Sequence, residues 1–152
     1  MKLVLAFLAS VFTTYVLAVL CYTQLNLANL IEMGVSISPE VRFEAAIHDL
    51  IGMSEVYFPI LVVFLLIAFG LAGFFASVLK ELRVLFFVMA GLLVPSAIDF
   101  LFTFSFWGLN IVQGAHPIAV TRTSAGLLLQ SGACAIGSLL FCSMGGAAKL
   151  DR

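Results

Sequence analysis

Four long apolar stretches, separated by polar connections, dominate the pattern along the chain. They cover residues 3–22, 56–79, 84–107 and 123–148. Each supplies the ~20 apolar residues that a helix needs to cross the hydrocarbon layer of a bilayer. Asp99 is the one charged side chain within them. The pattern therefore predicts an all-α integral membrane protein built as a four-transmembrane-helix bundle.

The connection between the first two spans has a helical periodicity of its own. Ser38 and Pro39 are typical of a helix start, with serine as the cap and proline at the first helical position. At about 100° per residue, the predicted helix over residues 39–54 separates apolar from polar residues. The apolar face comprises Phe43, Ala46, Ile47, Leu50, Ile51 and Met53, and the polar face comprises Arg42, Glu44, His48 and Asp49. We expect an amphipathic helix that lies flat on the outer leaflet or caps the bundle.

Composition agrees with this class of protein. Of the 152 residues, 63% are hydrophobic and 10% are charged, and the mean hydropathy is +1.21. These values exclude a soluble globular domain, and a formal net charge of −1 offers no basic surface for nucleic acid. The spans and their connections use up the chain, so we expect a single membrane domain over residues 1–152.

The first apolar stretch exceeds the ~7–15-residue core of a signal peptide and lacks a good cleavage site, so it is expected to be retained.

Basic residues indicate the orientation. Lys80 and Arg83 fall between the second and third spans, on the same side as Lys2, Lys149 and Arg152, whereas Arg42 and Arg122 fall on the other side. Because cytoplasmic connections are enriched in lysine and arginine, both termini are predicted to be cytoplasmic, in an inner or plasma membrane.

Small and aromatic residues suggest how the spans pack. Small residues at four-residue spacing let helix backbones approach closely, although they are also generally frequent in membrane helices. The rows are Ala68, Ala72 and Ala76 with Gly73 beside them in the second span, and Ala133 and Gly137 in the fourth. These two helices are expected to pack closely, against each other or against a partner. The many phenylalanines are interpreted as bulk that faces lipid or a partner, and Trp107 and Tyr57 as part of an interfacial aromatic belt.

Asp99 is the residue most suggestive of chemistry. It lies about 22 Å along the third span, where an acid is costly unless it is paired, protonated or hydrated. Gln130 lies at similar depth in the fourth span, so a polar pocket can be assembled from Asp99, Gln130, Ser96 and Thr103, with Arg122 above it. Two interpretations remain: a ligand or proton site, or an interhelical hydrogen bond or ion pair that fixes the bundle.

Neither a metal nor a cofactor is predicted. His48 and His116 are the only histidines, and no HExxH motif or His/Cys cluster accompanies them. Cys21, Cys134 and Cys142 form no CxxC pair and are interpreted as structural thiols.

Two family resemblances are visible. Arg42, followed by Ser54-Glu55-Val56-Tyr57-Phe58-Pro59 at the start of the second span, resembles the MAPEG group of eicosanoid and glutathione-metabolism membrane proteins over a short segment. That resemblance implies a membrane enzyme, but the basic residues of a glutathione site are missing, since the third span offers only Asp99. In size and span number the chain also resembles the small membrane subunit of TRAP-type carboxylate transporters, which has an amphipathic helix and cytoplasmic termini.

Together these features favour a non-catalytic accessory or assembly subunit of a membrane complex, or a homo-oligomer. Its expected partners are membrane lipid and other membrane subunits or copies of itself. The alternative is small-molecule binding, transport or a MAPEG-like membrane enzyme, with an outward-opening polar site near Asp99.

Overall fold

The computed structural model describes residues 2–103 and 123–145, and every regular element within them is helical. The helices are α1 (Lys2–Glu32), α2 (Pro39–Gly52), α3 (Tyr57–Val78), α4 (Arg83–Thr103) and α5 (Ser124–Ser143), and the 3₁₀ turn Lys80–Leu82 joins α3 to α4. Within this part of the chain, α1, α3, α4 and α5 are long and apolar enough to cross a membrane. The predicted all-α class is confirmed, and it is compatible with an integral membrane protein. Residues 1, 104–122 and 146–152 lie outside the described residues.

Helix α1 is longer than the span predicted within it. The sequence between Gln24 and Glu32 contains neither glycine nor proline, so the helix continues for ten residues beyond position 22. Its 31 residues extend over about 46 Å, compared with ~30 Å for the hydrocarbon layer. The helix ends at Glu32, and the turn after it contains Gly34, whose φ of 89° is accessible to glycine at little cost. The amide N–H of Val35 donates to Leu30 O at 3.1 Å and closes the terminus.

Helix α2 begins at the residues that the sequence indicated. The Ser38 Oγ accepts a hydrogen bond from the amide of Val41, and Pro39 occupies the first turn. A hydrogen bond from Ser38 also holds the pKa of the Glu40 carboxyl below its usual range. The helix ends at Gly52 rather than at residue 54.

The four long helices pack side by side. Helix α5 contacts both α1 and α4, α3 packs chiefly against α4 and touches α1, and α2 packs against α1. One phenylalanine from each long helix contributes to an aromatic layer, with ring centroids 4.6 to 6.1 Å apart: Phe7, Phe69, Phe87 and Phe141. Phe69, Phe87 and Phe141 are buried inside the chain's own core, so the interpretation of the phenylalanines as bulk that faces lipid or a partner is wrong for these three. Inward-facing rings stabilise the core by their buried area and by edge-on contacts.

Two glycines set the closest helix approaches. A Cβ atom on Gly137 would collide with the Thr14 hydroxyl and lie 2.9 Å from Ser10 O, so α1 and α5 meet without a side chain between them. A Cβ on Gly91 would collide with the Ser138 hydroxyl and lie 2.8 Å from Cys134 O, where α4 meets α5. One turn after Gly91, Pro95 lies buried inside α4.

Candidate functional site

Gln130 is the centre of a buried polar cluster between three helices. Its side chain is fully buried. The Tyr57 hydroxyl of α3 donates to Gln130 Oε1 at 3.1 Å, and Gln130 Nε2 donates to the Ala18 carbonyl of α1 at 2.9 Å. A primary amide can do both at once because it carries a donor and an acceptor. This cluster joins α5 to α1 and α3.

The structure describes the side chains of three of the five residues in the predicted polar pocket: Asp99, Ser96 and Gln130. Asp99 is half-buried, and Ser96 on the same helix is exposed. The hydrogen bonds of Gln130 run to Tyr57 and Ala18 instead of to Asp99. Arg122 and the side chain of Thr103 lie outside the described residues. The structure thus places Gln130 in a different polar cluster from the one that the sequence suggested.

A second set of polar contacts attaches α2 to the part of α1 between Tyr15 and Gln24. The Tyr15 hydroxyl donates to Leu50 O at 2.5 Å, and the Thr23 hydroxyl donates to Asp49 Oδ2 at 2.7 Å. Arg42 Nη1 donates to Gln24 Oε1 at 3.1 Å. These three contacts join side chains or backbone on both helices, so together they fix where α2 lies along α1. Below we call them the α1–α2 latch.

The polar residues of α2 do not share one environment. Arg42 and Asp49 contact α1 through the latch, whereas Glu44 is exposed. The His48 side chain is 88% exposed, with its Nδ1 3.8 Å from Asp49 Oδ1. The predicted polar face is therefore divided between a side that contacts α1 and a side that is open.

The apolar residues of α2 are divided in the same way. Ala46 is buried, and Leu50 and Met53 pack against the core. Three others form a row at four-residue spacing that faces away from the core: Phe43 (68% exposed), Ile47 (43%) and Ile51 (69%). We call this row the apolar ridge. At about 100° per residue, it lies on the opposite side of α2 from the side chains of Arg42 and Asp49.

The predicted helix-packing residues are mostly inside. Ala72, Gly73, Ala76, Ala133 and Gly137 are buried, and Ala68 is half-buried. Helix α5 packs against α1 through Gly137, and its other large interface is with α4. Helices α3 and α5 meet through the rings of Phe69 and Phe141, whose centroids are 4.6 Å apart, and through the hydrogen bond from Tyr57 to Gln130.

Within residues 2–103 and 123–145, no group of three or more His, Cys, Asp or Glu side chains could hold a metal ion. The three cysteines are free thiols; Cys134 is buried, and Cys21 and Cys142 are half-buried. Two cavities are lined almost entirely by apolar atoms. One of about 510 Å³ lies between α3 and α4, and one of about 340 Å³ lies beside Cys21 and Leu129, between α1 and α5.

Sequence reasoning missed the polar residues of the first span. Ser10, Thr14 and Thr23 are buried, and Tyr15 and Tyr57 are at most 5% exposed. The burial of Tyr57 therefore contradicts its assignment to an interfacial aromatic belt, whose side chains face the membrane surface. The available signal was the spacing of Ser10 and Thr14, which puts two hydroxyls on one helix face one turn apart.

Comparisons with known proteins assign no family. No protein-family model matches the chain, and neither a curated protein nor a solved structure matches it.

Proposed function

We propose that the chain is a non-catalytic subunit of a membrane assembly, a four-helix bundle that docks onto another membrane protein or a second copy through α2. The apolar ridge of Phe43, Ile47 and Ile51 carries this proposal. A helix that merely covered its own bundle would turn its apolar residues inward and its charged residues outward. In α2, Arg42 and Asp49 contact α1 while the ridge faces away.

The position of α2 along α1 argues that protein covers part of the ridge. Gln24, which contacts Arg42, lies 22 residues from Lys2, or about 33 Å along the helix. A hydrocarbon layer of ~30 Å that begins near Lys2 ends below this level. Phe43, next to Arg42, therefore stands at or beyond the lipid boundary, where another protein surface can cover an aromatic ring. Tyr15, whose hydroxyl donates to Leu50 O, lies about 20 Å from Lys2 along α1 and therefore within this layer.

The interior polar groups support a structural role. Gln130, Tyr57, Tyr15 and Thr23 are buried and hydrogen-bonded across helix interfaces. Hydrogen bonds of this kind contribute on average ~0.6 kcal/mol each in membrane proteins and set which helices are neighbours. Their donors and acceptors are used in positioning helices, which fits an assembly subunit better than an enzyme.

In this proposal α2 is an outward-facing amphipathic helix and both termini are cytoplasmic. The support is the bias of basic residues: Lys80 and Arg83 lie in the α3–α4 turn, and that turn is on the same side as Lys2. The same bias favours an inner or plasma membrane.

Photo-crosslinking tests the docking surface. A photoreactive amino acid is placed at Ile47 on the ridge or, as matched control, at His48, which is more exposed and one residue away. After illumination of intact membranes, we expect a protein adduct of defined mass from position 47 and none from position 48. Ile47→Glu should reduce recovery of the same complex, measured by native mass spectrometry in mild detergent. A monomer without a co-purifying protein, with lipid adducts alone at position 47, would contradict the proposal.

A further inference from the structure

The cavity between α3 and α4 is an open groove in the part of the molecule that would be surrounded by lipid. It has a volume of about 510 Å³ and begins beside Phe75 and Phe86, whose stacked rings have centroids 6.1 Å apart. It extends to Phe64 on α3 and Ala97 on α4. Eleven residues on each helix correspond to about 16 Å. That is close to half of the ~30 Å hydrocarbon layer, the depth that the acyl chains of one leaflet occupy.

Small side chains create the groove. Ala68 and Ala72 of α3 face Ala90 and Ala97 of α4 across it. Two residues of the row that the sequence suggested for helix packing, Ala68 and Ala72, thus line an open space that larger side chains would fill. Ala68 and Ala90 are both half-buried, as expected for residues that a mobile hydrocarbon chain can contact.

Basic residues lie in the turn that joins α3 to α4, near the end of the groove that Phe75 and Phe86 mark. Lys80 is exposed and follows Phe75 by five residues, and the half-buried Arg83 precedes Phe86 by three. Glu81 is the one acidic residue of this turn, so the turn carries a net positive charge. Cationic side chains beside a cleft between membrane helices attract anionic lipid headgroups.

We propose that the α3–α4 groove binds one anionic phospholipid, with an acyl chain along Ala68 and Ala90 and the phosphate at Lys80 and Arg83. The apolar lining recognises the chain, and the basic turn selects the headgroup. The site is separate from the apolar ridge of α2 and does not depend on the proposed function.

Native mass spectrometry of the full chain from nanodiscs tests the site. The discs contain phosphatidylglycerol or phosphatidylcholine with identical acyl chains. Wild-type protein is expected to retain one lipid molecule and to prefer phosphatidylglycerol. Lys80→Gln should lower that preference roughly fivefold, as should Arg83→Gln, while phosphatidylcholine retention stays unchanged. Lys2→Gln removes a charge from another helix and should have no effect.

Two groove-filling variants test the acyl-chain contact. Ala68→Phe on α3 and Ala90→Phe on α4 should each reduce retention of both lipids, whereas Leu66→Phe, on a face of α3 outside the groove, should leave it unchanged. Far-UV circular dichroism identifies any variant that fails to fold. The folded variants then show whether the groove contacts the acyl chain. Equal retention of the two lipids by wild-type protein would overturn the proposal, because it indicates unselective annular lipid. A dimer that Ala68→Phe dissociates would also overturn it, by assigning the groove to a helix of a second copy.

Discussion

At the scale of single residues, two hydroxyls one turn apart on α1 have different consequences. Ser10 Oγ donates to Gly137 O at 2.7 Å across the α1–α5 interface. Thr14 Oγ1 is fully buried and has no hydrogen-bond partner among the described residues. A buried polar group without a partner costs ~1–3 kcal/mol. The hydroxyl is therefore stabilising at position 10 and destabilising at position 14.

We expect Thr14→Val to raise the free energy of unfolding by about 1 kcal/mol, because it removes the unpaired hydroxyl and keeps the shape of the side chain. Ser10→Ala should lower the same free energy by about 0.5–1.5 kcal/mol. Both are measured by reversible unfolding in mixed micelles. A Thr14→Val variant as destabilised as Ser10→Ala would show that the Thr14 hydroxyl forms a hydrogen bond.

The Gln130 cluster gives a second prediction at this scale. Gln130→Leu removes the partner of both the Tyr57 hydroxyl and the Ala18 carbonyl, so we expect a loss of about 1–3 kcal/mol in unfolding free energy. Tyr57→Phe removes one donor and should cost less. A double-mutant cycle should give a coupling energy of about 0.6–1.7 kcal/mol between the two positions. Additive effects would mean that the two side chains act independently.

At the scale of elements, α5 is the helix most dependent on small residues. Gly137→Ala forces a Cβ against the Ser10 carbonyl and the Thr14 hydroxyl, and a backbone carbonyl can move only if α1 moves with it. We expect a loss of at least about 2 kcal/mol in unfolding free energy, in the range of overpacked cores. Gly132 lies on the same helix with no atom within 4 Å of its Cβ position. Gly132→Ala should be neutral or stabilising, and equal destabilisation by both would contradict this account.

Because the latch holds α2 against α1, removing its hydrogen bonds should loosen α2 without affecting the rest of the bundle. Thr23→Val removes the hydroxyl that donates to Asp49, and Tyr15→Phe removes the donor to Leu50 O. In the double variant we expect amide hydrogen exchange to accelerate in Pro39–Gly52 and to stay unchanged in α5, because two of the three hydrogen bonds between α2 and α1 are then absent. His48→Ala, at an exposed position, is the control. Unchanged exchange in α2 would show that apolar contacts alone hold the helix.

At the scale of the whole molecule, orientation is open to direct measurement. With Cys21, Cys134 and Cys142 replaced by alanine, a single cysteine is introduced at exposed Ser36 or exposed Lys80. A maleimide that does not cross membranes should label Ser36→Cys in intact cells and Lys80→Cys only after permeabilisation, as the basic residues imply. The reverse pattern would invert the topology.

The fold was more predictable than the site, for physical reasons. Hydrophobic length alone identifies helices that can cross a membrane, because the bilayer fixes how many apolar residues they need. Which polar residues meet depends on how each helix is rotated, and lipid does not select that rotation by hydrophobicity. Gln130 could therefore face Asp99 or Tyr57 with the same sequence pattern. The ridge of α2 was missed because Arg42 and Asp49 found hydrogen-bond partners on α1 that periodicity does not encode.

Pro95 has a mechanical consequence for α4. Proline cannot donate to the carbonyl four residues before it, so the backbone bond to Gly91 is missing and bending is easiest there. Gly91 and Phe87 anchor the preceding segment against α5, while the following segment carries half-buried Asp99. Because Phe87 before Pro95 and Ile98 after it are both buried in the core, we expect any bending of α4 to be concentrated between them, near Pro95.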